Sequence, residues 1–496
     1  MVRRQRVLCW VVAIAAVSAF YLLTQFATAR LIGNDGHFHI QLSRSLLERG
    51  IPRQLPELAY TIWGEAYRDH HWLFHVASIP FALLPDIRVG AKLEAACFAA
   101  LAALVFCWAL TQLQARMRWC WVLLFCAGAS DFLFRMQMAR GLSLATAILL
   151  IVVVALLRQR YWLLFVAVWV NVWLYDSFLL VGLVTGLWWF SVRCTQDRWD
   201  WIGLRSIVAG FLCGSILNPY FPENFASYFF NLRRSLAPLG SIPISAEWHP
   251  ANAWDMIVGS CPLVVTGLVL LVASTLVRKR NAEQSGTERV FLLLLGIAFV
   301  GLFARYRRMV DFAVPILLLG LAAYHRLVWE RCSVVGRRRL SGLIAVVAVS
   351  GAGMVATRFC ATNQPDEKYQ CYLRAGEWLD RHLPAGALIF PTDWDDFPVL
   401  YFRAPQLRYV VGLDPYFMQR YDAALYQEYV AITRGEAAGP YAPRIVQAFR
   451  AHYVFTDTDE HQPFLRQFDR EPGVYRVFNE PLCRVYTIRP DRALNQ

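Results

Sequence analysis

The sequence predicts a polytopic α-helical membrane protein of about eleven spans followed by a C-terminal extracytoplasmic α/β domain. Three observations predict it. Hydrophobic residues fill 57% of the 496 positions and charged residues only 17%, against about 25% in soluble domains. The apolar residues gather in runs near the length that crosses a bilayer. Beyond Thr357 the composition becomes that of a soluble protein.

The apolar runs lie near 7–28, 89–111, 119–134, 141–157, 161–175, 177–192, 204–218, 257–277, 289–304, 309–328 and 340–357. The stretch His71–Leu84 is too short to cross and reads as a helix dipping into the outer leaflet. Arginines fix the orientation through the positive-inside rule. Arg3, Arg4 and Arg6 place the N-terminus in the cytoplasm, with Arg116/Arg118, Arg158/Arg160, Arg193/Arg198, Arg278/Lys279/Arg280 and Arg337/Arg338/Arg339 on the same side. The expected location is the cytoplasmic (inner) membrane, with the C-terminal domain periplasmic or extracellular. The first run is long and no small-residue cleavage site follows it, so it reads as an uncleaved anchor. The net charge of +13 is spread over these loop clusters and reports topology; nucleic acid is not an expected partner. The chain divides into a membrane region, 1–357, with external loops 29–88 and 218–256, and the exported domain, 358–496.

Within that domain, DEKYQCYLRAGEWLDRHLPAG has helical periodicity and stops at Pro384 and Gly386. ALIFPT, RYVVGL, HYVFTD and CRVYTI read as buried strands, with a helical YAPRIVQAFRA among them. Cys360, Cys371 and Cys483 fall outside, where one disulfide is possible; the sequence does not choose the pair.

The outer face collects ionisable residues, costly at a membrane boundary unless paired or solvated. RLIGNDGHFHI presents Asp35, His37 and His39, followed by Asp69, His70 and His71. Asp131, Arg135, Arg140, Asp176 and Glu247 share that side. In FARYRRMVDF, Arg305, Arg307 and Arg308 stand against the positive-inside bias. Snorkelling explains such arginines; an anion site for a lipid phosphate or diphosphate also does, because guanidinium offers a fork to phosphate oxygens. The loop from Asn218 to Asp255 is long, aromatic and interrupted by five prolines, which suits a lid.

Read together, these pieces resemble the GT-C superfamily of polyprenol-dependent glycosyltransferases, and within it the oligosaccharyltransferase catalytic subunits. The residues carrying the resemblance are Asn34-Asp35-Gly36 in the first external loop, Ile244-Ser245-Ala246-Glu247 late in the long loop, and Asp393-Trp394-Asp395-Asp396-Phe397 after a helix and a strand. The resemblance implies a GT-C-like fold and a polyprenyl-linked sugar donor. The implied acceptor is a glycan, lipid or protein, and the implied cofactor a divalent metal, Mg²⁺ or Mn²⁺. It implies that Asp35 binds metal and acts as base or orients the acceptor, that Glu247 binds metal or acceptor, and that Trp394 and Asp395 grip the acceptor. One of Arg305, Arg307 and Arg308 meets the lipid phosphate. Asp131 stands alone where the family carries a second acidic motif for the metal.

The histidines of YRDHHWLFH extend the picture. His71 and His75 share a helix face, but the glutamate of H-E-x-x-H is absent, which disfavours a zinc protease. An interfacial helix with polar caps explains them; a second reading has Asp69 and His70 join the cavity beside Asp35, taking the place of the missing acidic motif, with His39 one helical turn from Asp35. The rival classes are a transporter or flippase and a non-catalytic envelope-glycan assembly protein. The absence of an internal repeat and the gathering of polar groups on one face disfavour the first.

Overall fold

The computed structural model describes residues 2–236, 245–276, 286–364 and 367–489. The middle of the proline-rich loop, 237–244, and the basic cluster Arg278, Lys279 and Arg280 lie outside the described residues.

The expected apolar runs fall on helices, two of them, near 119–134 and 257–277, across bent pairs. α1 (Val2–Phe26) leads into a loop bearing three short helices, α2 (Gly36–Arg49), α3 (Ile62–Glu65) and α4 (Trp72–Ala82). α5 (Ile87–Gln112) begins at Asp86, whose carboxylate accepts from the Arg88 and Val89 N–H groups at 2.9 and 3.2 Å. α6 (Arg118–Ala127) and α7 (Ser130–Met136) form one apolar stretch bent by 80° at Gly128 and Ala129. α8 (Leu142–Leu157), α9 (Tyr161–Leu174), α10 (Phe178–Gln196) and α11 (Trp201–Ile216) follow. The long loop contains α12 (Asn224–Leu236) and a 3₁₀ turn, Ala246–Trp248. α13 (Ala253–Gly259) and α14 (Cys261–Thr275) make a second pair bent by 80°. α15 (Gly286–Arg305), α16 (Val310–Arg331) and α17 (Val334–Thr362) complete the bundle.

The count of about eleven spans is not reproduced by length and composition. Among the described residues five helices are long and apolar enough to cross a membrane, or seven when each bent pair is one span. The apolar part of α1, Trp10–Phe26, and α8, α9 and α11 are shorter. α8 is nonetheless buried along nearly its whole length, as befits an element surrounded by other helices. Close approach uses glycine: a Cβ at Gly210 of α11 would stand 2.6 Å from the Phe165 carbonyl of α9, and one at Gly214 3.1 Å from that of Trp169.

The C-terminal region starts with α18 (Glu367–His382) and continues through β1 (Leu388–Pro391), α19 (Phe397–Arg403), β2 (Arg408–Tyr409), α20 (Pro415–Tyr421), α21 (Ala423–Thr433), α22 (Tyr441–Phe449), β3 (Tyr453–Asp457), α23 (Gln462–Phe468), β4 (Val474–Asn479) and β5 (Cys483–Ile488). The sheet order is β2-β1-β3-β5-β4. β1 is parallel to β2 and β3, and β5 runs antiparallel to β3 and β4. β4 escaped the sequence reading because it is a half-exposed edge strand carrying Arg476 and a register shift, without the apolar run that betrays its neighbours. The disulfide pairs Cys371 with Cys483 and leaves Cys360 free.

The two regions share a core. Phe38 and Leu42 of α2, with Leu55, Leu58 and Tyr67, pack with Leu379 of α18, Leu400 of α19 and Ile389 of β1. Each such fully buried side chain contributes about 1.5–3 kcal/mol. Backbone pairing reinforces the junction: the Tyr409 N–H donates to the Glu57 carbonyl at 2.7 Å and the Ala59 N–H to that of Tyr409 at 2.9 Å. The loop after α1 thus extends the edge of the sheet at β2.

Candidate functional site

The polar residues converge on one cavity of about 1090 Å³ where the broken helix α7, the start of α16, the α2–α4 loop and the C-terminal region meet. The 80° break before α7 is what turns Asp131 and Arg135 toward it.

Glu247 forms the hub. Its carboxylate accepts from Arg135 Nη1 at 2.7 Å and lies 3.7 Å from Arg140 Nη1 and 3.6 Å from Arg308 Nη1. Burial lifts its pKa, and the guanidinium charges of Arg308, Arg140 and Arg135 override that, holding it well below the usual carboxylate range. Arg135 also donates through Nε to Asp311 at 2.6 Å, and Arg140 pairs with Asp35 at 3.2 Å. Arg308 lies 4.1 Å over the Trp248 ring and donates to the Tyr175 hydroxyl at 3.0 Å. Two buried N–H groups of this frame, Arg135 Nη2 and Arg140 Nε, have no partner among the described residues.

A histidine wall borders the same cavity. Asp69 Oδ2 is 2.6 Å from His75 Nδ1, and His75 Nε2 is 2.8 Å from His39 Nδ1. The other Asp69 oxygen accepts from the His71 N–H at 2.9 Å. His71 stacks on Tyr175 with ring centroids 4.9 Å apart, which joins the two walls. His70 lies 3.8 Å from Asp176.

The third side comes from the sheet region. Asp393, Trp394, Asp395 and Asp396 fold into a 3₁₀ turn after β1, closed by a reciprocal capping box between Asp393 and Asp396. The Asn34 side-chain amide donates to the Asp395 carbonyl, clasping this turn to the residue preceding Asp35. Enclosure in the wall, then the charges of Asp393 and Glu460, push Asp395 up to about 7.

Of the residues singled out from the sequence, Asp35, His39, His70, Asp131, Glu247, Arg307, Arg308, Trp394 and Asp395 all line this cavity. Two do not. Asp69 is buried behind His75, because its carboxylate is consumed by the imidazole and a backbone N–H. Arg305 is exposed with its guanidinium 4.8 Å over Tyr306, as a snorkelling arginine would be. His37 is buried and bonds Tyr369 at 2.9 Å, a link to the C-terminal region. Arg135 and Arg140 were visible only as face residues, and Asp311 was missed. An acid three residues beyond Arg308 inside an apolar run was the available signal.

The carboxylates expected to hold a divalent cation are otherwise engaged. Glu247 touches three guanidiniums, Asp35 pairs with Arg140, and Asp131 accepts from Arg307 at 3.0 Å. No group of three His, Cys, Asp or Glu side chains converges as a metal site among the described residues. As arranged, Asp35, Glu247 and Asp131 suit arginine partners and do not fit Mg²⁺ or Mn²⁺, which need several free oxygen ligands on one ion.

No family model matches the sequence, and no curated protein matches it significantly. Solved structures do. The apo oligosaccharyltransferase of Archaeoglobus fulgidus superposes with a TM-score of 0.68 at 12% identity over 97% of this chain and 74% of that one. ArnT from Cupriavidus metallidurans, bound to undecaprenyl phosphate, gives 0.62 at 14% identity over 97% and 98%. The arabinofuranosyltransferase AftD from Mycobacteria gives 0.55 at 14% identity over 96% of this chain and 40% of its own. The chain therefore shares its overall fold, of the GT-C type, with these three structures.

Proposed function

We propose that the protein is an integral-membrane glycosyltransferase. It moves a sugar or oligosaccharide from a polyprenyl-phosphate or polyprenyl-diphosphate donor to a glycan, lipid or protein acceptor at the outer face of the membrane. The N-terminus then lies in the cytoplasm and the 358–496 domain is periplasmic or extracellular. One observation carries the reading: Arg135, Arg140 and Arg308 gather around Glu247 in the same cavity as Asp35. Comparable folds support it, since ArnT was solved with undecaprenyl phosphate and the archaeal oligosaccharyltransferase with a dolichol-phosphate and with a tethered acceptor peptide.

The chemistry is a displacement at the anomeric carbon. The acceptor nucleophile forms a bond to that carbon as the bond to the phosphate oxygen breaks, and the lipid phosphate departs with the electron pair. Fixed guanidiniums aimed at the departing oxygens stabilise the charge that develops there. Asp35 orients the nucleophile from the tip of α2. Trp394 and Asp395 contact the acceptor, while Arg307 with Asp131, and His70 with Asp176, border the same space. With the carboxylates engaged, the arginines take the charge-neutralising role a divalent ion would have.

The test is transfer in vitro with a panel of labelled polyprenyl-linked sugars, with chelator and with Mn²⁺. Turnover that survives chelation is expected. Loss on chelation with recovery in Mn²⁺ returns the metal role to Asp35, Glu247 and Asp131. No turnover with any donor, alongside unchanged surface glycans in a deletion strain, refutes the transferase reading. Retention of full transfer by a folded Asp35→Ala variant would remove Asp35 from the chemistry, whereas its loss excludes the silent assembly protein.

A further inference from the structure

The displacement above leaves one proton unassigned, that of the acceptor nucleophile, and Asp35 is already committed to Arg140. Three buried side chains offer a place for it. Asp69, His75 and His39 are 4%, 1% and 7% exposed and are strung on two short contacts of 2.6 and 2.8 Å.

The hydrogen positions follow from the donors available. A carboxylate only accepts, so His75 Nδ1 must carry the hydrogen it shares with Asp69. A neutral imidazole holds one hydrogen, so His75 Nε2 accepts. His39 Nδ1 is then the donor, and His39 Nε2 carries no hydrogen. The Asp69 carboxylate cannot swing away, since its second oxygen accepts from the His71 backbone. His39 itself lines the cavity, and its Nε2 has no hydrogen-bond partner among the described residues.

We propose that Asp69 and His75 are positioning residues that present His39 Nε2 as a bare acceptor, and that His39 removes the proton from the attacking acceptor. This rests on the transferase reading. As the acceptor oxygen or nitrogen bonds to the anomeric carbon, its hydrogen passes to His39 Nε2. The imidazolium so formed donates through Nδ1 to His75, which leans on the anionic Asp69. The sugar–phosphate bond breaks toward the arginines, so the negative charge of the leaving group arises beside the guanidiniums while the positive charge arises on His39. Burial, then the neighbouring Arg140 guanidinium, hold the His39 pKa well below the usual imidazole range. Tyr67 and Tyr220 beside Asp69, and His71 beside His39, are the other titratable groups facing the relay.

A purely structural clasp between α2 and α4 would use the same contacts, so the test reads what a clasp cannot change. In the full-length protein, His39→Gln keeps an amide donor for His75 but no basic nitrogen. Expected is a fall in kcat of about 10²–10⁴ with donor KM, polyprenyl-phosphate binding and melting temperature unchanged. Asp69→Asn is expected to lower kcat in the same sense. His39→Gly is expected to regain rate with added imidazole, and His39→Gln to lose less rate with acceptors of more acidic hydroxyl. His39→Gln within about twofold of an active wild type, or His39→Gly unresponsive to imidazole while still folded and binding polyprenyl phosphate, would overturn the relay alone. A wild type inactive with every donor overturns the transferase reading and the relay with it.

Discussion

The two walls of the cavity are built on opposite principles. The arginine wall joins residues from four distant segments, Asp35, Arg135 with Arg140, Glu247, and Arg308 with Asp311, linked by guanidinium–carboxylate contacts. The histidine wall uses residues within a single loop, 39, 69 and 75, and strings two imidazoles on one buried carboxyl group. Fixed charge suits a group that must be met by charge at once, such as a phosphate. A neutral relay whose hydrogens are set by its neighbours suits a group that must give something up. The two proposed tasks, meeting an anion and taking a proton, thus fall to separate groups of residues lining one cavity.

The strongest way to break the comparison is to open the arginine wall from inside. Arg135→Ala strands Asp311, which is fully buried, and should cost roughly 3–5 kcal/mol, seen as a collapse of the melting temperature. Next in size is Asp35→Asn, which keeps shape but loses the negative charge facing Arg140; misplacing the nucleophile should slow transfer by about 10²-fold or more with donor binding kept. Glu247→Gln sharpens the contrast in the opposite direction. Removing the carboxylate that competes for three guanidiniums should tighten binding of a polyprenyl phosphate by about 1 kcal/mol, a severalfold lower Kd by titration. The smallest effect belongs to Asp395. Its pKa is raised from 3.8 to about 7 in the fold, so the folded state binds the proton more tightly than the unfolded chain. Its contribution is therefore greatest below pH of about 4 and is lost as pH rises through about 7. Asp395→Asn should flatten that slope in thermal melts at pH 5 and pH 8; because the side chain is exposed to the cavity, the difference should stay below about 1 kcal/mol.

What was legible follows the same division. Helices announced themselves as apolar runs, and the strands β1, β3 and β5 as short buried stretches, because each signal is local. The histidine wall was half visible for the same reason: Asp69, His71 and His75 stand within one turn or two of each other. Its sense was not, since nothing in the spacing says that Asp69 turns inward to His75 and not outward to substrate. The arginine wall was visible only as a list of residues on one face. That Arg135 grips both Glu247 and Asp311 depends on a bend at Gly128 and Ala129 that brings positions 112 and 176 residues away into contact. No periodicity encodes such a meeting. Nor does spacing show how many guanidiniums the fold delivers to Asp35, Glu247 and Asp131, the carboxylates expected to hold a metal.

The sheet order also bears on how the protein is made. β5, the last strand in sequence, lies between β3 and β4 and pairs with both, and Cys483 on it closes the bridge to Cys371 across 112 residues. At synthesis rates of roughly 5–20 residues per second, about 6–22 s pass between the appearance of the two cysteines. α2 and the loop after it emerge far earlier than β2 (Arg408–Tyr409), the sheet edge on which that loop rests. A nascent chain thus carries Phe38, Leu42, Leu55 and Leu58 without their partners Leu379, Ile389 and Leu400 until the C-terminal region is made.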